Sequence, residues 1–153
     1  MTFEDYSFIL IRDGDEELAG LMWTEHTHRQ GFCRTGSVVN ILVPAEWDYA
    51  SVSFEQGKLL NEAAFTRLFR FPFHCPSGVL LIGAADEHPG APRRVSVEPG
   101  EYGLMVGMRT GRETNHIEVV AEKLASPLIH SEVLIADQEI EVGEVLVEDA
   151  DVA

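Results

Sequence analysis

The sequence predicts a mainly all-β fold, an antiparallel β-sandwich with one or two short helices. On both sides of Pro99 and Gly100, apolar residues alternate with other residues, which is the period of a strand with one buried face. Similar short segments, bounded by glycine, proline and aspartate, recur along the 153 residues. Long amphipathic helices are missing between them, which favours a sandwich or barrel over an α/β fold.

The N-terminal third is predicted to contain a strand, a short helix and another strand. Residues 6–11 are rich in β-forming residues and are followed by turn residues. A helix is predicted over residues 24–30, because Thr24 is a suitable N-cap and Gly31 suits the position after the last turn. Residues 36–43 read as the next strand, which ends at a proline.

The middle of the chain is predicted to form three further strands. The first covers residues 49–54, and residues 58–64 after it fit either a helical turn or a loop. Four alternating residues share one face of the second strand: Arg67, Phe69, Phe71 and Phe73. Pro72 in this run predicts that its end lies at a sheet edge or a bulge. Turn residues 76–78 then lead into residues 79–84, which predicts a hairpin.

The last third is predicted to begin with an antiparallel hairpin that turns at Pro99 and Gly100. Three residues after the turn are expected to face the core: Tyr102, Leu104 and Val106. Gly100 is expected to have a positive φ, as the third residue of a type II turn requires. Alternation over residues 117–121 and a β-rich run over residues 129–136 complete the predicted strands.

The sequence predicts one domain over residues 1–137 and an acidic C-terminal extension over residues 138–153. Lys123 is the last basic residue before a run of acidic residues with scattered valine, isoleucine and leucine. Such a segment fits a solvated extension or a charged arm for a basic partner.

The net charge of −15 constrains the partners of this protein. A nucleic-acid-binding surface needs clustered lysine and arginine, and an anionic membrane attracts basic segments, so neither partner is expected. An acidic surface favours solubility and, if there is a partner, a basic protein. The N-terminus resembles no secretory signal, and no apolar run approaches the length of a membrane helix.

Neither a catalytic centre nor a cofactor or metal site is predicted. Cys33 and Cys75 form no CxxC pair and are interpreted as reduced thiols of a cytoplasmic protein. His26 and His28 are two residues apart, a spacing that does not place them on one side of the predicted helix. No GxSxG elbow or HExxH motif is present.

Acidic and aromatic residues are the candidates for contact with a protein partner. This set is Trp23, Glu25, Trp47, Glu139, Glu141 and Asp149. Trp23 and Phe32 could instead clamp the helix onto the sheet, and Trp47 with Tyr49 could belong to the core or the rim. Trp47 and Tyr49 also lie beside acidic residues that could line a sugar-binding groove.

Short motifs in order along the chain resemble the competence protein J family. They are Trp23-Thr24-Glu25, Gln30-Gly31-Phe32, Val52-Ser53-Phe54, Phe71-Pro72-Phe73, Ser77-Gly78-Val79, the run Val95-x-Val97-x-Pro99-Gly100-x-Tyr102-x-Leu104, and residues 131–137. The resemblance extends over about residues 6–137. It implies a small β-protein that is not an enzyme and that inhibits a DNA-entry nuclease during competence. No motif identifies an inhibitory residue.

Two other classes of function remain open at the level of sequence. A cleft lined by Trp23, Trp47 and Tyr49 would favour a β-sandwich module that binds a small ligand or carbohydrate. Convergence of the histidines and cysteines at metal-ligand distance would favour a small enzyme. A broad acidic face would favour inhibition of a protein. The sequence leaves the partner's identity and the oligomeric state open.

Overall fold

In a computed structural model, the protein consists of two β-sheets packed face to face. The structure describes residues 2–4, 8–16, 21–44, 47, 49–59, 61–84, 92–112, 115–140 and 146–150. The strands are β1 (Thr2–Glu4), β2 (Phe8–Asp13), β3 (Phe32–Thr35), β4 (Val38–Leu42), β5 (Tyr49–Gln56), β6 (Arg67–Cys75), β7 (Val79–Ala84), β8 (Arg93–Ser96), β9 (Gly100–Arg109), β10 (Asn115–Leu124) and β11 (Glu132–Ile135). One α-helix, α1 (Glu25–Gln30), and one 3-10 turn (Glu62–Ala64) complete the described elements.

The predicted sandwich and its mainly antiparallel pairing are confirmed. Sheet A has the strand order β1-β5-β10-β9-β6-β11, and sheet B has the order β3-β4-β2-β7-β8. The β5–β10 pair is parallel, and the other pairs between described strands are antiparallel. The described part of the chain holds no helix long and apolar enough to cross a membrane.

Both predicted hairpins are wrong, because each turn connects the two sheets. β8 pairs with β7 in sheet B, whereas β9 pairs with β6 and β10 in sheet A. The turn at residues 76–78 likewise carries the chain from β6 in sheet A to β7 in sheet B. Period-two alternation reports that one face of a strand is buried, and a strand on either side of a sandwich satisfies it.

The corner between β8 and β9 is fixed by Tyr102 and Gly100. The Tyr102 hydroxyl donates a hydrogen bond to the Glu98 carbonyl, four residues upstream. Such a tyrosine corner is a known device at the crossings of β-sandwiches. Gly100 has φ = 150°, so the predicted positive φ is confirmed although the hairpin is not.

The corner between β6 and β7 is fixed by the buried carboxylate of Asp13. Its Oδ1 accepts hydrogen bonds from the Ser77 hydroxyl at 2.7 Å and the Ser77 N–H at 3.1 Å. Burial alone would raise the pKa of Asp13, but hydrogen bonds from Ser77, Cys75 and Asp15 outweigh it and hold the pKa below its ordinary value. The carboxylate therefore stays charged and ties the end of β2 to this turn.

The core lies between the sheets and contains the residues predicted to face it. Tyr102, Leu104 and Val106 are at most 2% exposed. The shared face of Arg67, Phe69, Phe71 and Phe73 is confirmed as well, because all four side chains are buried. Phe32 packs edge-on against Phe69 and Phe71, with ring centroids 5.9 and 4.8 Å away.

The predicted helix is confirmed with its capping residues. The Thr24 hydroxyl accepts the Thr27 N–H at 3.2 Å, and the Thr27 hydroxyl accepts the Thr24 N–H at 2.7 Å. This reciprocal pair satisfies free backbone donors of the first turn. Gly31 follows the helix with φ = 87° and directs the chain into β3, a short strand that the sequence analysis did not predict.

The outer face of sheet A is covered at two glycines of β9. A Cβ added at Gly107 would lie 2.5 Å from the Phe65 ring, and one at Gly103 would lie 3.3 Å from Leu128. Phe65 packs there with Leu68, Met105 and Val120 in a second, smaller apolar cluster. The missing side chains thus make room for two loops to lie flat on the sheet.

Candidate functional site

Trp23 and Glu25 lie at the start of α1. The Trp23 ring packs against Phe8 and His28, with centroids 5.0 Å away in each case, and remains partly exposed. The Glu25 side chain is 89% exposed, with a carboxylate oxygen 3.8 Å from Arg29. Both residues are therefore accessible to a partner at this end of the helix.

Trp47 is buried in the core, which is the alternative to its predicted contact with a partner. It is 7% exposed and belongs to the main core. Trp23 and Trp47 therefore do not line a common cleft, and the Tyr49 side chain, Glu46 and Asp48 lie outside the described residues. Glu141 also lies outside them, whereas Glu139 and Asp149 are exposed.

The C-terminal residues contact the sandwich, in contrast to a solvated extension. Asp137, the last residue of the predicted domain, and the described residues of the predicted extension, 138–140 and 146–150, are here together called the tail. Ile140 is 4% exposed and sits in the core, where it lies against Gly31 and Phe69. The Ala150 N–H donates a hydrogen bond to the Arg34 carbonyl at 2.7 Å, so the end of the tail runs along β3.

A buried cation, Arg34, receives the tail carboxylate of Glu148. Arg34 Nη2 lies 2.9 Å from Glu148 Oε2, and its Nε donates to the Ser131 hydroxyl at 2.7 Å. Arg34 Nη1 donates to the carbonyl of Pro72 at 3.2 Å, which links β3 of sheet B to β6 of sheet A. Arg34 therefore joins the two sheets where it receives the tail.

Four polar contacts converge on the Glu148 carboxylate. Besides Arg34, it accepts the Ser131 N–H and the Ser131 hydroxyl, each at 2.7 Å. His130 Nδ1 lies 3.9 Å away. Burial would raise the pKa of Glu148, but the bonds from Ser131 and the Arg34 charge lower it below its ordinary value of 4.5.

Replacement of Glu148 with glutamine should destabilise the fold in a pH-dependent way. Charged hydrogen bonds contribute about 1.5–3 kcal/mol, so a loss of this size is expected near neutral pH. Because the folded pKa is lowered, the stabilisation is complete above the ordinary pKa of 4.5 and is lost as the pH falls through the folded value. Chemical denaturation of both proteins as a function of pH measures the difference. Asp149→Asn, at an exposed neighbour, is the control, and a pH-independent difference would contradict the assignment.

A second buried cation, Arg67, anchors the start of the tail. Its Nη2 and Nε lie 2.7 and 2.9 Å from Asp137 Oδ2, and Glu139 Oε2 is 3.8 Å from Nη2. Arg67 Nη1 donates to the Leu42 carbonyl at 3.0 Å, which again links the two sheets. Two of the tail's carboxylates are thus neutralised by arginines of the sandwich.

The tail also lies against α1 and brings three predicted partner residues into one region. Gln30 at the end of α1 hydrogen-bonds to Val147, and Gly31 contacts Ile140. We call α1 together with the tail the helix–tail surface. It carries Glu25, Glu139 and Asp149, three of the acidic residues in the predicted set.

The residues that build this region were not predicted from the sequence to contact the tail: Gln30, Arg34, Arg67 and Ser131. A signal for Arg67 was available, since it occupies an inward strand position among phenylalanines. A buried arginine requires a carboxylate partner, and the acidic C-terminus contains the candidates. Nothing comparable singles out Arg34, whose strand is too short to show alternation.

The two thiols are shielded inside the fold, and the described histidines and cysteines form no group of metal ligands. Cys33 and Cys75 are free and buried. Burial raises the pKa of Cys33 to about 11 and, together with the neighbouring Asp13, that of Cys75 to about 12. Thiols with such pKa values are protonated and weakly nucleophilic at neutral pH. Among the described residues, no group of three or more His, Cys, Asp or Glu side chains is placed to hold a metal ion.

A groove of about 410 Å³ lies on the outer face of sheet A. Charged residues of both signs line it together with Leu59 and Phe65: Glu55, Lys58, Arg109 and Glu118. Arg109 and Glu118 pair across β9 and β10 at 3.1 Å. The groove includes none of the residues predicted to contact a partner, and its charges largely compensate each other.

The comparisons with known proteins point to one family. The model of the competence protein J (ComJ) family matches residues 3–127. The crystal structure of ComJ from Bacillus subtilis, described as an inhibitor of the DNA-degrading activity of NucA, superposes with a TM-score of 0.69 at 12% identity, covering 80% of this chain and 92% of that one. A protein described as crocagin biosynthetic gene J has a TM-score of 0.46 at 12% identity, covering 78% and 94% of the two chains. No curated protein matches the sequence significantly.

Proposed function

This chain belongs to the competence protein J (ComJ) family, and we propose that it inhibits a DNA-degrading nuclease by binding to it. The match to the family over residues 3–127 carries the proposal, because it includes α1, nine of the eleven described strands in full (β2 to β10) and most of β1. The likeness to ComJ of Bacillus subtilis supports the same fold. An inhibitor of this kind binds its target without catalysing a reaction. The two free thiols support a cytoplasmic location.

The charge of the protein supports a basic partner. With a net charge of −15, the chain attracts a nuclease whose DNA-binding groove is positively charged. Attraction of this kind mainly accelerates association and weakens as salt screens the charges. We therefore propose that the inhibitor competes with DNA for the basic groove of the nuclease.

A nuclease assay tests this proposal directly. Purified chain is added to the non-specific endonuclease of the same cells, and the degradation of linear DNA is followed as the salt concentration rises. Inhibition at a stoichiometric ratio, with an association rate that falls as salt is added, is the expected result. A chain that leaves DNA degradation unchanged at a large excess over every such nuclease would overturn the proposal.

We further propose that the helix–tail surface contributes to nuclease binding. Neutralisation by Glu25→Gln, Glu139→Gln and Asp149→Asn together should slow association about three- to tenfold, since charge steering supplies at least this much. The matched control is Asp15→Asn, Glu55→Gln and Glu62→Gln, which removes the same charge at exposed residues elsewhere. Stopped-flow or surface-plasmon measurements of the association rate compare the two. Equal rates for both variants would place the binding surface elsewhere.

A further inference from the structure

We propose that the outer edge of β3 is a binding site for an extended peptide that carries a glutamate, and that residues 146–150 occupy it as an intramolecular ligand. This inference does not depend on the proposed inhibition of a nuclease. β3 is the terminal strand of sheet B, so its outer backbone groups have no neighbouring strand among the described strands of that sheet. The Ala150 N–H fills one of these positions by its bond to the Arg34 carbonyl at 2.7 Å.

The amide of Gln30 recognises the backbone of an extended segment. Its Nε2 donates to the Val147 carbonyl at 3.2 Å, and its Oε1 accepts the Val147 N–H at 2.9 Å. One side chain thus makes the pair of bonds that a neighbouring strand would make. Gln30 is 2% exposed, and a further bond from Nε2 to the Phe32 carbonyl holds the amide in this orientation. These contacts involve only backbone atoms of the segment, so they are compatible with many side chains at position 147.

The pocket of Arg34 and Ser131 supplies the selectivity for glutamate. The Arg34 side chain is 7% exposed and Ser131 is 4% exposed, so both groups are in place beneath the segment. Two donors of Ser131 and the Arg34 guanidinium hold both carboxylate oxygens of Glu148. A glutamine would leave the guanidinium without its counter-charge. Backbone recognition with a single side-chain pocket is the arrangement used in β-strand addition.

Residues 137–140 of the tail are anchored independently of the segment that occupies the β3 edge, residues 146–150. Arg67 and the core hold residues 137–140 through Asp137 and Ile140, so residues 146–150 can leave the β3 edge while this anchor stays. Gln30 and Arg34 lie within the residues that match the family, whereas residues 146–150 lie outside them. The contacts themselves require no covalent connection between site and ligand. An extended segment of another protein with a glutamate at this position would make the same contacts once residues 146–150 have left the β3 edge.

A binding experiment with the full-length chain tests this site. The probe is a fluorescently labelled peptide with the sequence of residues 144–153, followed by polarisation. In the wild-type chain the attached tail competes at an effective concentration of about 1 mM, which raises the apparent Kd of the peptide. The Glu148→Gln chain keeps Arg34, Ser131 and Gln30 but binds its own tail weakly. It should bind the peptide about tenfold more tightly than the wild-type chain does.

Three comparisons make the result specific. The Asp149→Asn chain should bind the peptide as weakly as the wild-type chain, and a peptide with Glu148→Gln should bind none of the chains. Ala150→Pro removes the N–H that bonds to Arg34 without changing a charge, and it provides a second chain with a weakened tail should Glu148→Gln fail to fold. Equal affinity of all chains for the peptide, or equal binding of the glutamine peptide, would overturn the proposal. Its outcome is independent of nuclease inhibition, which the DNA degradation assay measures.

Discussion

Replacement of Arg67 with methionine is expected to lower the free energy of unfolding by about 3–5 kcal/mol, the usual cost of breaking a buried ion pair by removing one partner. The Arg67 side chain is 1% exposed, and its guanidinium contacts Asp137 and the Leu42 carbonyl. Without the cation, Asp137 would keep a partly buried negative charge, and the Leu42 carbonyl would lose a donor. The variant should therefore unfold at a much lower urea concentration than the wild-type protein.

A second replacement, at Asp137, distinguishes the contribution of the ion pair to stability from the contribution of Arg67 side-chain packing. Asp137→Asn in the Arg67→Met background removes the uncompensated charge, so the double variant should recover part of the lost stability. Arg94→Met, at an exposed position of β8, is the control and should change stability by less than about 0.5 kcal/mol. If Arg67→Met behaves like this control, the contact with Asp137 does not stabilise the fold.

The sequence predicts the buried faces of this sandwich better than its connections. Tyr102 and Leu104 are identified by alternation alone, because a strand with one buried face shows a period of two wherever its neighbours lie. The pairing partner of β8 cannot be predicted in this way, because β7 and β9 both lie near β8 along the chain. The decision depends on the Tyr102 corner and on contacts across the sandwich, which a local pattern does not record. A proline and a glycine mark a change of direction and do not say which sheet the chain enters.

For the tail, the composition of the sequence predicts the wrong environment. Its negative charge indicates solvated residues, yet Ile140 enters the core and Glu148 meets a buried arginine. The partners are distant in sequence: Arg34 and Glu148 are separated by 114 residues. The composition gives the number of charged residues but not their ion-pair partners. An acidic segment with scattered aliphatic residues is therefore compatible with a solvated arm and with a segment packed on the sandwich. The inward position of Arg67 was the local clue that a carboxylate must approach.

Gly107→Ala is expected to destabilise the protein by about 1–3 kcal/mol, the typical cost of inserting a methyl group into a packed site. The new Cβ would lie 2.5 Å from two ring atoms of Phe65 and 2.8 Å from a third. Phe65 is buried among Leu68, Met105 and Val120, so its ring has to shift within a packed cluster. Gly36→Ala is the matched control, because a Cβ there meets nothing within 4 Å; its effect should stay below about 1 kcal/mol.

The contact with Phe65 can be isolated by a double-mutant cycle. Phe65→Ala alone should cost about 3–5 kcal/mol, as large-to-small replacements of buried phenylalanine do. In that background the ring that Gly107→Ala would strike is gone, so the second change should add less than about 0.5 kcal/mol. Denaturation curves of the four proteins give the coupling energy between the two positions. An additive cycle would mean that the alanine at 107 strains β9 itself, whereas strong coupling identifies Gly107 as the space in which the loop before β6 is seated on sheet A.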